Sequence, residues 1–144
     1  MITHEGARLG IVELVEVCAR ERARALALFQ HLGSWVATTA DPTLQRLFAT
    51  AAHRHAWHAQ LWADRSPAIP VPHVVADVAA IVEAGDDTDR WTAYVTSLGT
   101  LIVELGALRD RIDPDLDPGT ARVIELVGAD ANRLADLVAA TPPA

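Results

Sequence analysis

Two histidines three residues apart, His55 and His58, are the strongest chemical signal in this chain. An i, i+3 pair on a helix projects both side chains from one face, so the two imidazoles can share a single ion. Three carboxylates join them as candidates: Glu21, Glu104 and Asp130 each fall on or beside an apolar stripe of a different segment. Burying an ionised side chain is costly unless it is paired or bound to metal, so the coincidence calls for a shared explanation. Arg133 stands three residues after Asp130. It is a permanent cation that cannot ligate, and its spacing predicts a salt bridge to Asp130.

Four long segments must position these groups. The first runs roughly from Glu5 to Leu32 and closes near Gly33; Ile11, Leu14, Cys18, Ala25, Leu28 and Leu32 form its seam, with Glu21 in the one gap. The second opens at Asp41-Pro42, an N-cap acid before a proline suited to the first helical position. It continues through Leu44, Leu47, Phe48, Ala51, His55, His58 and Trp62 to about Ser66-Pro67. The prolines between Ser66 and Pro72 exclude regular helix, and Val74 to Ala84 reads as a short apolar helix stopped by Gly85. The third long helix, about Thr88 to Ile112, carries Tyr94, Leu98, Leu101, Leu105, Leu108 and Ile112 on its seam and Glu104 on the shoulder. The fourth begins at Asp117-Pro118 and reaches about Ala139, with Val123, Val127, Leu134 and Leu137 inward and Asp130 among them. Short links join the first two helices and the last two, while roughly twenty residues separate the pairs, enough to travel a bundle's length. The expectation is all-α: one domain over residues 1–144, an antiparallel four-helix bundle with one long crossover between helices two and three.

With Glu21 on helix one and His55-Ala56-Trp57-His58-Ala59 on helix two, the chain resembles the ferritin-like superfamily of rubrerythrins and carboxylate-bridged di-iron oxidases. That family places a Glu on helix one and Glu-x-x-His, followed by Ala, about thirty residues later, and repeats both in helices three and four. Glu21, His58 and Ala59 match the first half, while His55 stands where Glu is expected. Glu104 matches the third-helix glutamate, and Asp130-Ala131-Asn132-Arg133 takes the place of the second Glu-x-x-His. The segment from Leu32 to Pro70 is also similar to actinobacterial proteins described as ferritin-like. The resemblance implies a degenerate metal site made of Glu21, His55, His58, Glu104 and Asp130. With one bridging Glu and one terminal His missing, it implies one ion or none, not two. Two His and a carboxylate suit mononuclear iron or manganese, and zinc as well. Arg133, placed where a second ion would sit, is expected to neutralise Glu104 and Asp130.

Composition narrows the partners. The net charge is −7 and all 12 basic residues are Arg, without a basic stripe, which argues against nucleic acid. The apolar stretches are broken by Glu, Arg or Asp before the ~20 residues needed to span a bilayer, and Met1 to Gly10 lacks the layout of a signal peptide. Cys18 is alone, so the chain is read as cytoplasmic, with that thiol a small buried hydrophobe. His53 falls on a solvent face; His4, His31 and His73 are isolated; Trp57, Leu61 and Arg54 form a flank suited to a homodimer. Asp113 to Asp117 lacks the glycine and closing glutamate of a calcium loop and reads as a cap. Three functions stay open: a one-metal oxidase or oxygenase for a small organic molecule, a metal-free scaffold, and a metal-independent enzyme or small-molecule binder using the histidines.

Overall fold

Aspartate begins three of the long helices. Asp41, Asp86 and Asp117 are N-caps whose carboxylates accept from the backbone N–H of Thr43, Asp89 and Thr120 respectively, satisfying donors that the first turn leaves orphaned. The computed structural model describes residues 8–70 and 73–144. Its helices are α1 (Ile11–Trp35), α2 (Pro42–Arg65), α3 (Ala79–Glu83), α4 (Asp87–Arg109) and α5 (Pro118–Ala139), and the described residues contain no strand.

Four sequence expectations about boundaries need correction. Gly33 does not stop α1: it lies inside the helix with no positive φ, and a Cβ there would meet the Ala52 side chain at 4.0 Å. That is ordinary contact, so α2 does not require a glycine there, and the helix ends instead in a 3-10 turn, Val36–Thr38, after which the Thr39 hydroxyl donates to the Trp35 carbonyl at 2.7 Å. The expected helix from Val74 to Ala84 shrinks to α3, which is pinned to the core by the fully buried Ile81. The first helix, expected from Glu5, begins only at Ile11 after the non-helical residues 8–10, and the third, expected to reach Ile112, ends at Arg109. Glu5 itself, His4 and the end of the proline run at Pro72 lie outside the described residues.

Cross-helix contacts set the directions. At one end, Asp87 accepts from the Asp41 backbone N–H at 3.0 Å and the Trp91 indole donates to the Val138 carbonyl at 3.1 Å. At the other, Arg65 pairs with Asp117 at 2.8 Å and Arg111 with Glu13 at 2.7 Å. The starts of α2 and α4 therefore share an end, and the segment from 66 to 86 carries the chain back along the bundle. α1 packs chiefly on α2 and α4 on α5, and the two pairs meet along α2 and α5. Among the described residues α4 is the helix that length and composition would suit to a membrane, with mean hydropathy 1.2; here Tyr94, Leu98, Leu101, Leu105 and Leu108 bury its apolar stripe in the bundle.

The core is divided. One dry cluster gathers Leu28, Leu32, Trp35, Phe48, Ile81, Tyr94, Leu98 and Val138. The other gathers Leu14, Cys18, Trp62, Leu101, Leu105, Val123 and Val127. Between them along the helices stand the buried polar residues Glu21, His55, His58 and Asp130. Two seam assignments fail: Ile11, in the first turn beside the likewise exposed Val12, is 58% exposed, and Leu137 is exposed while its neighbour Val138 faces inward.

Candidate functional site

Periodicity places His55 and His58 on the inner face of α2, and both are almost wholly buried, with ring centroids 5.1 Å apart and planes nearly perpendicular. Each is anchored through Nε2. His58 Nε2 lies 2.6 Å from Asp130 Oδ2, and His55 Nε2 lies 2.8 Å from the Tyr94 hydroxyl. The Nδ1 atom of each ring is buried with no hydrogen-bond partner. An unpaired buried polar atom costs about 1–3 kcal/mol, so these two nitrogens are the most conspicuous feature of the core.

Charge logic fixes one tautomer. Burial works against ionising Asp130, yet hydrogen bonds from Arg54 and His58 hold its carboxyl below the usual range, so it accepts only. Burial also lowers the His58 pKa, keeping that ring neutral although Asp130 opposes the shift. A neutral His58 must then donate from Nε2, which leaves the lone pair on Nδ1. His55 is pushed further, to about 3, by burial first and by His58 second. Desolvation raises the Tyr94 phenol, so it keeps its proton.

Asp130 is where sequence reasoning and structure part most clearly. Its cation is Arg54 on α2, with Nη2 2.6 Å from Oδ1 and Nε 3.0 Å from both oxygens, and the guanidinium also lies 4.9 Å from the Trp57 ring centroid. The predicted Asp130–Arg133 salt bridge does not form, because Arg133 is exposed on the outer side of α5. Glu21 lies on the buried seam as predicted, and desolvation raises its pKa while Arg24 and Arg20 pull it down. Arg24 reaches Glu21 at 3.4 Å and also hydrogen-bonds Glu104 on α4. Glu104 is half exposed, at 49%, so it caps the site from outside and does not face inward.

α1 and α4 do not close on each other. Between them runs a groove of about 740 Å³, bordered by Val17, Leu28, Ser97, Thr100 and Leu108 and by the connecting segment at Val74 to Ala80. Glu21, Arg24 and Leu28 border both this groove and a small inner cavity of about 10 Å³ lined also by His55, His58 and Trp62. A space of that size holds about one water-sized occupant. Among the described residues, no three His, Cys, Asp or Glu side chains are gathered to hold an ion as they stand. The distances explain why: Arg24 draws Glu21 and Asp130 takes His58 Nε2, leaving the two Nδ1 atoms bare.

The chemistry of the residues lining the inner cavity nonetheless suits one ion. Two buried imidazole nitrogens without partners, with one seam carboxylate beside the same cavity, make a two-His, one-carboxylate set. Of the other two carboxylates, Glu104 is bound outward to Arg24 and Asp130 is engaged by Arg54 and His58. Arg24, i+3 from Glu21, has a spacing that signals pairing, and the pair forms. Two participants escape the sequence reading: Tyr94, whose hydroxyl burial obliges to find a partner, and Arg54, which the sequence places only on the Trp57 flank. His53 is exposed and Cys18 buried, as their helical positions predict. No protein-family profile, curated protein or solved structure matches this chain.

Proposed function

We propose that this protein is a ferritin-like bundle that binds one divalent metal ion at Glu21, His55 and His58 and acts on a small organic molecule reaching it through the α1–α4 groove. The observation that carries this reading is the pair of bare, buried Nδ1 atoms on rings anchored through Nε2. A metal-ligating histidine characteristically gives its other nitrogen to a carboxylate or similar group, which fixes tautomer and ring orientation. Asp130 does this for His58, Tyr94 does it for His55 in the tautomer whose Nε2–H donates to the phenol oxygen, and Arg54 in turn holds Asp130. The crossover between α2 and α4 and the polar layer between two dry clusters support the ferritin-like assignment. Bound iron or manganese would supply redox chemistry, and zinc would supply Lewis acidity. The apolar walls of the core would exclude water around it.

A metal-independent base fits less well. A general base works best with a pKa near the operating pH, and His55, held near 3, is far too weak. The scaffold reading draws on a different observation: Arg24 and Arg54 already neutralise the core carboxylates. Elemental analysis after anaerobic reconstitution with ferrous iron separates the two. About one ion per chain, absent from His58→Ala and raising the wild-type Tm, is the expected result. Two ions per chain, or none, would overturn the proposal.

A further inference from the structure

Arg24 stands in an unusual position among the charges of this fold. Its Nη2 hydrogen-bonds a carboxylate on its own helix, Glu21 Oε1 at 3.4 Å, and a carboxylate on α4, Glu104. Its Nη1 is buried without a partner. The side chain borders both the groove and the inner cavity, so it lies where the two spaces adjoin. Two carboxylates converging on one cation from facing helices is the arrangement a divalent ion makes with bridging ligands. Here a guanidinium makes it, with a single charge that cannot dissociate.

We infer that Arg24 is the residue that determines how tightly and in what number this core holds metal: it competes for Glu21 as a built-in cation and withholds Glu104 altogether. This rests on the proposed metal site but is separable from it. Ligation through Glu21 sets an ion against Arg24 for the same carboxylate, whose Oε1 the guanidinium meets at 3.4 Å, and the nearby guanidinium repels a divalent ion. Among the described residues, Arg20, 3.9 Å from Glu21 and more than half exposed, is the other cation beside that carboxylate. It is too solvated to replace Arg24 in this role. The groove beside Arg24 gives its long side chain a place to swing, so the same residue stands at the passage from groove to cavity.

The test is a titration of apo protein with cobalt(II), followed by calorimetry and by the visible spectrum, which reports ligand type and number without any assay of activity. Arg24→Gln keeps a polar side chain of similar reach but loses the charge; Arg24→Met spares the fold a lone buried amide; Arg24→Lys keeps the charge. The Gln and Met variants are expected to bind about 10–100-fold tighter than wild type, the range that residues around the ligands typically govern, while the Lys variant stays near wild type. Thermal melts of the apo variants check folding, and either neutral variant that folds decides the matter. Equal affinity in wild type and the neutral variants overturns the inference and leaves the metal site standing. Binding only when Arg24 is neutralised overturns the wild-type metal function and upholds the inference. No cobalt bound by any of the four proteins overturns both.

Discussion

Where α2 meets α5, charged side chains are packed into a closed interface; where α1 meets α4, the same kinds of side chain span an open groove. On the first seam, Asp130 is 4% exposed and receives both Arg54 and His58, and Arg65 ties Thr120 and Asp117 one end further along. On the second, Arg24 reaches a half-exposed Glu104 across the groove, and Arg111 reaches an exposed Glu13. The chemistry is alike, carboxylate to guanidinium between antiparallel helices. The difference is the surroundings: a buried pair must be complete because a lone charge cannot be solvated, whereas an exposed pair is replaceable by water. A closed seam can therefore hold rings in fixed orientation, and an open one can admit a ligand.

The sharpest way to break this contrast is Asp130→Ala. It strands His58 Nε2 and the inner side of Arg54, and should cost about 3 kcal/mol in urea unfolding, since Arg54 is about one-third exposed and recovers some solvation. A loss under about 1 kcal/mol would mean the closed seam is no more demanding than the open one.

Acid should act on the closed seam next. His55 stays neutral in the fold, its pKa lowered by burial from 6.5 to about 3, so between those values the unfolded chain takes a proton that the folded chain refuses. Stability from this group is thus full above pH 6.5 and is lost as pH falls toward 3. Asp130, held below its usual range, adds to the loss at the acid end, while Glu21, raised by burial, works in the opposite sense. The apo protein should lose at least about 5 °C of Tm between about pH 7 and pH 4.5. His55→Gln should flatten that slope, and a flat wild-type profile would contradict a buried neutral imidazole.

On the open seam, Glu104→Ala should change stability by less than about 1 kcal/mol, since its carboxylate is half exposed. A larger loss would make Arg24–Glu104 a structural clamp. The smallest signal is expected from Cys18, 1% exposed with its thiol pushed up to about 11 by burial: a disulfide reagent should leave it unmodified in the native protein and label it only on unfolding.

Much of the fold was legible in local spacing. The Asp41-Pro42 and Asp117-Pro118 starts lie where predicted, because a cap depends on residues within one turn. The inward faces of α2 and α4 were equally plain, since a ladder of Leu, Phe, Ala and Tyr leaves one side for the core. Where the pattern misled, the ambiguity was between neighbours on the helix: Leu137 and Val138 are both apolar, and only the angle at which α5 meets its neighbours selects Val138. Gly33 read as a terminator because glycine is the usual residue just past a helix end, yet its φ is not positive and α1 runs on to Trp35.

The candidate site divides in the same way. Amphipathic periodicity alone put Glu21, His55, His58 and Asp130 inward, because 3.6-residue spacing against an apolar stripe leaves few other faces. It could not say which cations would meet them. Arg133 is nearest Asp130 along the chain but points outward, while Arg54, 76 positions away, lies across the interface. Glu104 shares its helix with the seam yet looks into the groove, because α4 stands apart from α1 there. Helical rotation and interhelical distance decide such pairings to within a few ångströms, and both are set by the packing of whole faces. Residue spacing therefore determined which groups are buried, and the tertiary structure decided which of them are satisfied and which, like the two Nδ1 atoms, have no partner.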